Sequence, residues 1–347
     1  MRLRPVPALL LGALVLTLPA QAAGPSPRIK NTRGSIESIA MDGPRLAYAV
    51  QGEGAGCTKV FVWNVLTQGG AVVSGRKTCD ADSTSTGAGV RELAVAGLRV
   101  AWIVNKGGNT ESDDYLYTAT LGSPAGERLV SSAFRSGDVD GTLAGAWLNH
   151  LVGGGDRIVV NRFTTNKGGN ITQASLQRLE LGLSTLALGI PSLYASSLDL
   201  HRIAVLRVDH KVAIYDTETR RLLLTVTPSS AKEVALRKDY VVVLTRTKTL
   251  EVYNSHTGAL LKRWPVAAGA SRLDVHSGIA VYAVGRTVFE VRLTDGHDAP
   301  LATAPRAIES LQIEAPGVVY AYNTFKGLHD VGNLAFVPLR QATFLLR

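Results

Sequence analysis

A chain of 347 residues with 46% hydrophobic residues and 35 glycines is long enough to bury a large core. Its formal charge of +9 is spread along the chain. No run of Lys or Arg is interleaved with aromatics, which excludes a recognisable nucleic-acid groove and leaves a solvated basic surface.

In chain order, Met1 to Ala22 has Arg2 and Arg4, the apolar run Ala8 to Leu18, and the small-x-small pattern Ala20-Gln21-Ala22. This is the pattern of an export signal removed by signal peptidase. The run is too short to cross a bilayer comfortably and no Cys follows the cleavage point, so no membrane span is expected afterwards, although a retained N-terminal anchor is the alternative. Cleavage leaves 35 Lys and Arg against 28 Asp and Glu in a protein expected to be secreted, extracellular or periplasmic. The two cysteines, Cys57 and Cys79, are then expected to form a disulfide rather than remain free thiols. Closing a loop of about 23 residues adds roughly 3 kcal/mol in the chain-entropy account.

Residues 23–34, with Pro25 and Pro27, read as an extended lead-in. Beyond them the chain repeats one phrase: four short apolar strands separated by turn residues. Units are expected over approximately residues 35–75, 90–132, 141–190, 193–227, 231–267, 270–304 and 306–347, with the third least regular and the glycine run Gly153-Gly154-Gly155 read as a turn. The markers Leu198, Val234, Leu273 and Leu311 recur at spacings of 36, 39 and 38 residues, the length of a four-stranded blade. One such sheet cannot bury both its faces, so the units must lean on one another in a circle. The fold class expected is all-β, a seven-bladed β-propeller of four-stranded antiparallel blades. The last unit is expected to supply its own fourth strand, Thr343 to Leu346. Closure would then come mainly from packing of the first blade on the last, helped by pairing near Arg28 to Thr32.

The phrases Tyr215-Asp216-Thr217-Glu218-Thr219 and Tyr253-Asn254-Ser255-His256-Thr257-Gly258, the latter running on to Trp264, resemble the repeats of quinoprotein-like and YVTN-type propellers. That resemblance implies a turn in which Asp or Asn and Thr bond the backbone and Gly takes a positive φ. It carries no quinone cage. Asn105-Lys106-Gly107-Gly108-Asn109 and Asn166-Lys167-Gly168-Gly169-Asn170 repeat a second phrase, which resembles a turn of TolB-like, WD40-like propellers; a plain Gly-rich hairpin explains it as well.

Loops joining second to third strands and one blade to the next share a face. Those of units seven, one, two and three are long: Asn323 to Gly332, Gly52 to Thr58, Asn105 to Asp114 and Thr164 to Gln173. Those of units four to six are tight. Long loops on a rigid scaffold are where binding concentrates. The candidate contact residues are Asp80, Asp82, Asn109, Glu111, Asp113, Asp114, Asp138, Asp140, Asn170, Lys326 and His329. Asp138 and Asp140 beside Gly141 are weak candidates for Ca²⁺, since no Glu closes a calcium loop. Otherwise no cofactor is expected, and solvated turn carboxylates explain the acidic loops.

No His pair has metal-ligand spacing, and no nucleophile-elbow, zinc or phosphate-loop pattern occurs. The reading is a monomeric binding or scaffolding module for an unidentified protein or cell-envelope ligand. The rivals are a metal-assisted hydrolase or lactonase with carboxylates converging at the channel mouth, and a cell-envelope component like TolB.

Overall fold

The computed structural model describes residues 27–51, 58–74, 88–108, 110–122, 126–137, 142–180, 185–189, 195–327 and 329–339. These residues form strands and turns, with no helix among them. The export signal, both cysteines, Asp80, Asp82, Asn109, Asp138, Asp140 and the expected strand Thr343 to Leu346 lie outside them.

A short strand from the lead-in, β1 (Arg28–Asn31), comes first. The meander β2 (Ile36–Asp42), β3 (Arg45–Gln51), β4 (Thr58–Asn64) and β5 (Gly70–Val72) follows as one sheet. Next is an eight-stranded sheet, whose first half is β6 (Ala88–Ala96), β7 (Arg99–Gly107), β8 (Glu111–Thr120) and β9 (Arg128–Ser136). Its second half is β10 (Ala144–Gly154), β11 (Arg157–Thr165), β12 (Ile171–Leu179) and β13 (Thr185–Ala187). Three four-stranded sheets succeed it. The first is β14 (Ala195–Asp199), β15 (Arg202–Leu206), β16 (Val212–Asp216) and β17 (Leu222–Val226); the second is β18 (Ala231–Arg237), β19 (Tyr240–Thr245), β20 (Thr249–Asn254) and β21 (Leu260–Pro265). The third is β22 (Ser271–His276), β23 (Ile279–Val284), β24 (Thr287–Arg292) and β25 (Asp298–Thr303). The last sheet combines β26 (Ser310–Glu314), β27 (Gly317–Lys326) and β28 (His329–Pro338) with β1, in the order β1-β28-β27-β26.

The second strands are apolar on both faces because a sheet lies against each. Leu46 to Val50, Val100 to Val104, Val241 to Leu244 and Val318 to Tyr322 are buried without alternation. The core is accordingly divided into clusters between sheets. One joins Met41, Tyr48 and Trp63 to Val319, Leu334 and Phe336 of the last sheet, and the next joins Ala47, Val60 and Val62 to Leu93, Val100 and Trp102. The first strands complete a circuit: β2 packs on β6, β6 on β10, β10 on β14, β14 on β18, β18 on β22, β22 on β26, and β26 on β2.

Three sequence expectations change. The outer place in the last sheet is taken by β1, whose residues Arg28 to Asn31 pair with Phe336 to Asn333. Closure of the chain is therefore hydrogen-bonded and not packing alone, because β28 would otherwise present an unpaired edge. Asn323 reinforces it, its Oδ1 accepting from the Ile36 N–H at 2.8 Å while its Nδ2 donates to the Ile36 carbonyl at 3.1 Å. Second, the second and third units share one sheet, since Ser136 and Arg135 pair with Ala144 and Gly145. Third, Gly153 and Gly154 end β10 and are not a turn. A Cβ on either would lie 2.3 Å from the Val95 carbonyl or 2.2 Å from that of Leu198, so only glycine lets this strand sit between its neighbours.

The turn chemistry follows the sequence. Asp216 Oδ1 accepts the N–H groups of Glu218 and Thr219 at 2.8 and 2.7 Å, and Asn254 Oδ1 accepts those of His256 and Thr257 at 2.9 Å. Gly258 takes φ +73°, as the phrase requires.

Candidate functional site

The face bearing the turns between second and third strands is lopsided. Where β15 meets β16, β19 meets β20 and β23 meets β24, the strands are five or six residues long and the turns tight. The hairpins β7–β8, β11–β12 and β27–β28 instead have strands of nine or ten residues. Much of what the sequence suggested as loop is thus paired strand. Residues 105–107 pair with 112–114, and Asn323 to Lys326 pair with Gly332 to His329. A ladder satisfies the backbone groups that a loop of that length would leave to water.

The candidate residues separate along these hairpins. Glu111 is exposed at the start of β8 and Asp113 is half-buried. Asp114 is fully buried and serves the fold: its carboxylate accepts from Arg135 Nη1 at 2.6 Å, Asn105 Nδ2 at 2.8 Å and the Leu148 N–H at 3.1 Å. Arg135 is itself 2% exposed and lies 3.7 Å over the Trp147 ring, which stacks on Phe163. A carboxylate so engaged has little capacity left for a ligand. Asn170, Lys326 and His329 are exposed at the ends of the other two hairpins. The two Asn-Lys-Gly-Gly phrases diverge in use. Asn105 turns inward to Asp114, whereas Asn166 Oδ1 accepts the Gly168 and Asn170 N–H groups, both at 3.0 Å, and closes its turn.

Phe325 on β27 is 71% exposed and Ile171 on β12 44%, while Phe134, on β9 opposite Asp113 of β8, is 51% exposed and Val208 in the tight β15–β16 turn 71%. The sequence pointed to the carboxylates instead, because large apolar residues in extended segments read as core until pairing and side are known. Across from the hairpins a recess of about 580 Å³ is lined by Arg207, His210, Lys232 and Arg246. Part of that charge is engaged, with Arg207 Nε 3.2 Å from Asp209 and Lys232 Nζ donating to the Ala270 carbonyl at 2.6 Å.

The first strands surround a narrow central cavity of about 150 Å³. Asp274 and Glu314 line it, and Asp274 shares with other first-strand carboxylates the task of tying one first strand to the next. Glu37 accepts the Val90 N–H at 3.1 Å, Glu92 that of Leu151 at 2.6 Å, Glu233 that of Leu273 at 2.8 Å and Asp274 that of Ile313 at 2.9 Å. Ser197 Oγ does the same for Leu236 at 3.0 Å. In each case a first-strand side chain reaches the backbone of the next first strand round the circuit, Glu92 doing so within the eight-stranded sheet. The strands carry bulges near these positions, for example between Val90 and Glu92 and between Ala231 and Glu233, and a bulge re-aims the side chain beside it. Burial raises the carboxyl pKa of Glu37, and raises that of Asp274 to about 7. In the lining of the cavity Arg237 pairs with Glu314 at 2.8 Å, and outside it Arg202 pairs with Asp199 at 3.1 Å. Among the described residues no group of three or more His, Cys, Asp and Glu is placed to hold a metal ion. The sequence missed these clips, although their signal is present as a polar residue directly before Leu93, Leu198 and Val234 or after Leu273.

No protein-family model matches the chain, and no curated protein matches it. Solved structures do. A chain of the mitotic checkpoint complex aligns over 95% of this chain and 98% of its own length, with a TM-score of 0.54 and 14% identity. The WD40 β-propeller domain of Doa1 aligns over 88% and 94%, with a TM-score of 0.51 and 12% identity. Sqt1 of Saccharomyces cerevisiae aligns over 91% and 99%, with a TM-score of 0.50 and 9% identity. At such identities the likeness concerns the fold, and with the meander sheets and their circuit it defines the class: the chain has a β-propeller fold, similar to that of the WD40 domain of Doa1. Among the described residues no helix is long and apolar enough to cross a membrane.

Proposed function

We propose that this protein is an exported seven-bladed propeller that binds or scaffolds protein partners through its hairpin face. In this reading the eight-stranded sheet counts as two blades joined at β9 and β10, and the last blade is completed by β1. The export signal at residues 1–22 and the Cys57–Cys79 disulfide belong to the same reading. N-terminal sequencing of the exported chain and mass spectrometry of its cysteines test those two parts.

The observation that carries the binding role is the exposed Phe325 and Ile171 on hairpins standing beyond the tight turns of the other blades, with Phe134 exposed on β9 beside the β7–β8 hairpin. Apolar side chains held on rigid ladders, beside the polar Lys326, His329 and Asn170, have the composition of an interface centre with its rim. The WD40-like likeness supports the same role. The first-strand carboxylates are occupied as clips between neighbouring first strands, which favours binding over the hydrolase alternative. The test is retention of native cell-envelope and secreted proteins on wild type and on a Phe325→Asp/Ile171→Asp variant with an unchanged unfolding midpoint. Partners held by wild type and lost by the variant are expected; identical retention on both rejects the hairpin face as the contact surface.

A further inference from the structure

Blades diverge outward like wedges, so the space between two of them closes only if their outer strands are long enough. Between β1 and the sheet β2–β5 they are not: β1 has four residues and β5 three. The packing opens there into a cleft of about 620 Å³. Its apolar floor is Tyr48, Val50, Phe61 and Val72, with Tyr48 stacked on Phe61 at 5.3 Å between centroids and Val72 55% exposed. Its rim is Lys30, Arg33 and Lys59, and no Asp or Glu lines it.

These three cations have no ion pair among the described residues. Lys30 Nζ instead lies 5.6 Å over the Trp63 ring. Elsewhere Arg135, Arg202 and Arg237 are each matched to a carboxylate. The cleft is thus an apolar slot with unmatched positive charge. It runs between two strands, β1 and β5, that each end a sheet and so have one edge with no strand partner among the described residues. An extended chain fits such a slot better than a compact ligand, since strand edges offer backbone groups along their length. The charge fixes its sign: carboxylates set beside partly desolvated cations make the charge-assisted bonds that give an interface orientation and specificity.

We propose that this cleft docks an extended acidic segment of a partner protein, one apolar side chain resting on Phe61 and Val72 and its carboxylates meeting Lys30, Arg33 and Lys59. It is separate from the hairpin face, and either site can fail without the other.

A displayed library of random peptides about twelve residues long, selected on the full chain, tests this, with the selected peptides then resynthesised. The expected sequences have Asp and Glu flanking an aromatic or aliphatic residue, and their binding weakens as salt is raised. Arg33→Glu/Lys59→Glu, which turns attraction into repulsion, and Val72→Asp, which puts a charge on the apolar floor, each weaken them by at least about tenfold, whereas Phe325→Asp leaves them unchanged. All three cleft positions are exposed, so each variant is expected to keep the wild-type unfolding transition, and Lys59→Gln gives an intermediate loss. Selected peptides without an acidic excess overturn the proposal, as does binding indifferent to Arg33→Glu/Lys59→Glu. Self-association of wild type that Val72→Asp abolishes also overturns it, since the occupant is then a second copy of the chain.

Discussion

A single buried carboxyl shows how position redefines chemistry. Asp274 lies in a first strand and would be counted among channel acids by sequence alone. Its oxygens accept the Val275 and Ile313 N–H groups at 2.8 and 2.9 Å, and burial raises its pKa to about 7. A raised folded-state pKa means that the group's contribution to stability is fully present below its ordinary carboxylate range and is lost as pH rises through about 7. Asp274→Asn is therefore expected to flatten the fall in urea midpoint between acid and neutral pH, and to cost less relative to wild type above pH 7 than at pH 4 to 5. A variant whose pH profile parallels wild type would show that the proton does not sit there. At this scale the Asx turns were legible, because Asp216 and Asn254 act on backbone within three residues. The clips were not, because Glu233 acts on Leu273, forty residues away.

At the level of elements, the sequence showed where the chain is long but not what the length becomes. The strands of β7–β8 continue past the turn positions of the regular blades, and one buried pair holds this hairpin. Asp114 ties β8 to Asn105 of β7, to Arg135 of β9 and to the Leu148 N–H of β10, so four strands and both halves of the eight-stranded sheet meet on one carboxylate. Removing it leaves the Arg135 guanidinium buried and uncompensated. Asp114→Ala is expected to lower stability by about 3–5 kcal/mol, as breaking a buried pair does. Hydrogen exchange should accelerate first in β7, β8 and β10; a loss confined to global stability, with no local acceleration, would deny the pair its role in the hairpin. The strand content of units one and four to six was readable from alternating turn residues and apolar runs. The third was harder because its register slips between Asn149 and Val152, where His150 adopts φ +50°.

For the whole molecule, the repeat spacing anticipated sheets that need neighbours, and the circuit of first strands from β2 round to β26 realises it. The closing device was only half visible: residues near Arg28 were expected to assist an edge, whereas they occupy the outer place themselves. Deleting residues 27–31 removes a ladder of net bonds worth roughly 1 kcal/mol each, so a loss of about 2–4 kcal/mol is expected in urea unfolding. It also bares the β28 edge, and a concentration-dependent dimer should appear by light scattering. A truncated chain as stable as wild type and with the same oligomeric state would place the closing energy in packing alone.

The arrangement of that last sheet also fixes an order of events. Ribosomes deliver β1 before any of its partners exist, and β28 emerges only after some three hundred further residues, as the sequence separation of Ile29 and Ala335 requires. Until then the first-made strand waits without a place, exposed to whatever else offers a free edge. Cutting the chain between Asn31 and Ile36 and grafting the leading piece after Pro338 would let the final blade assemble from contiguous chain, so the rearranged protein should reach its native state faster while keeping the same shape.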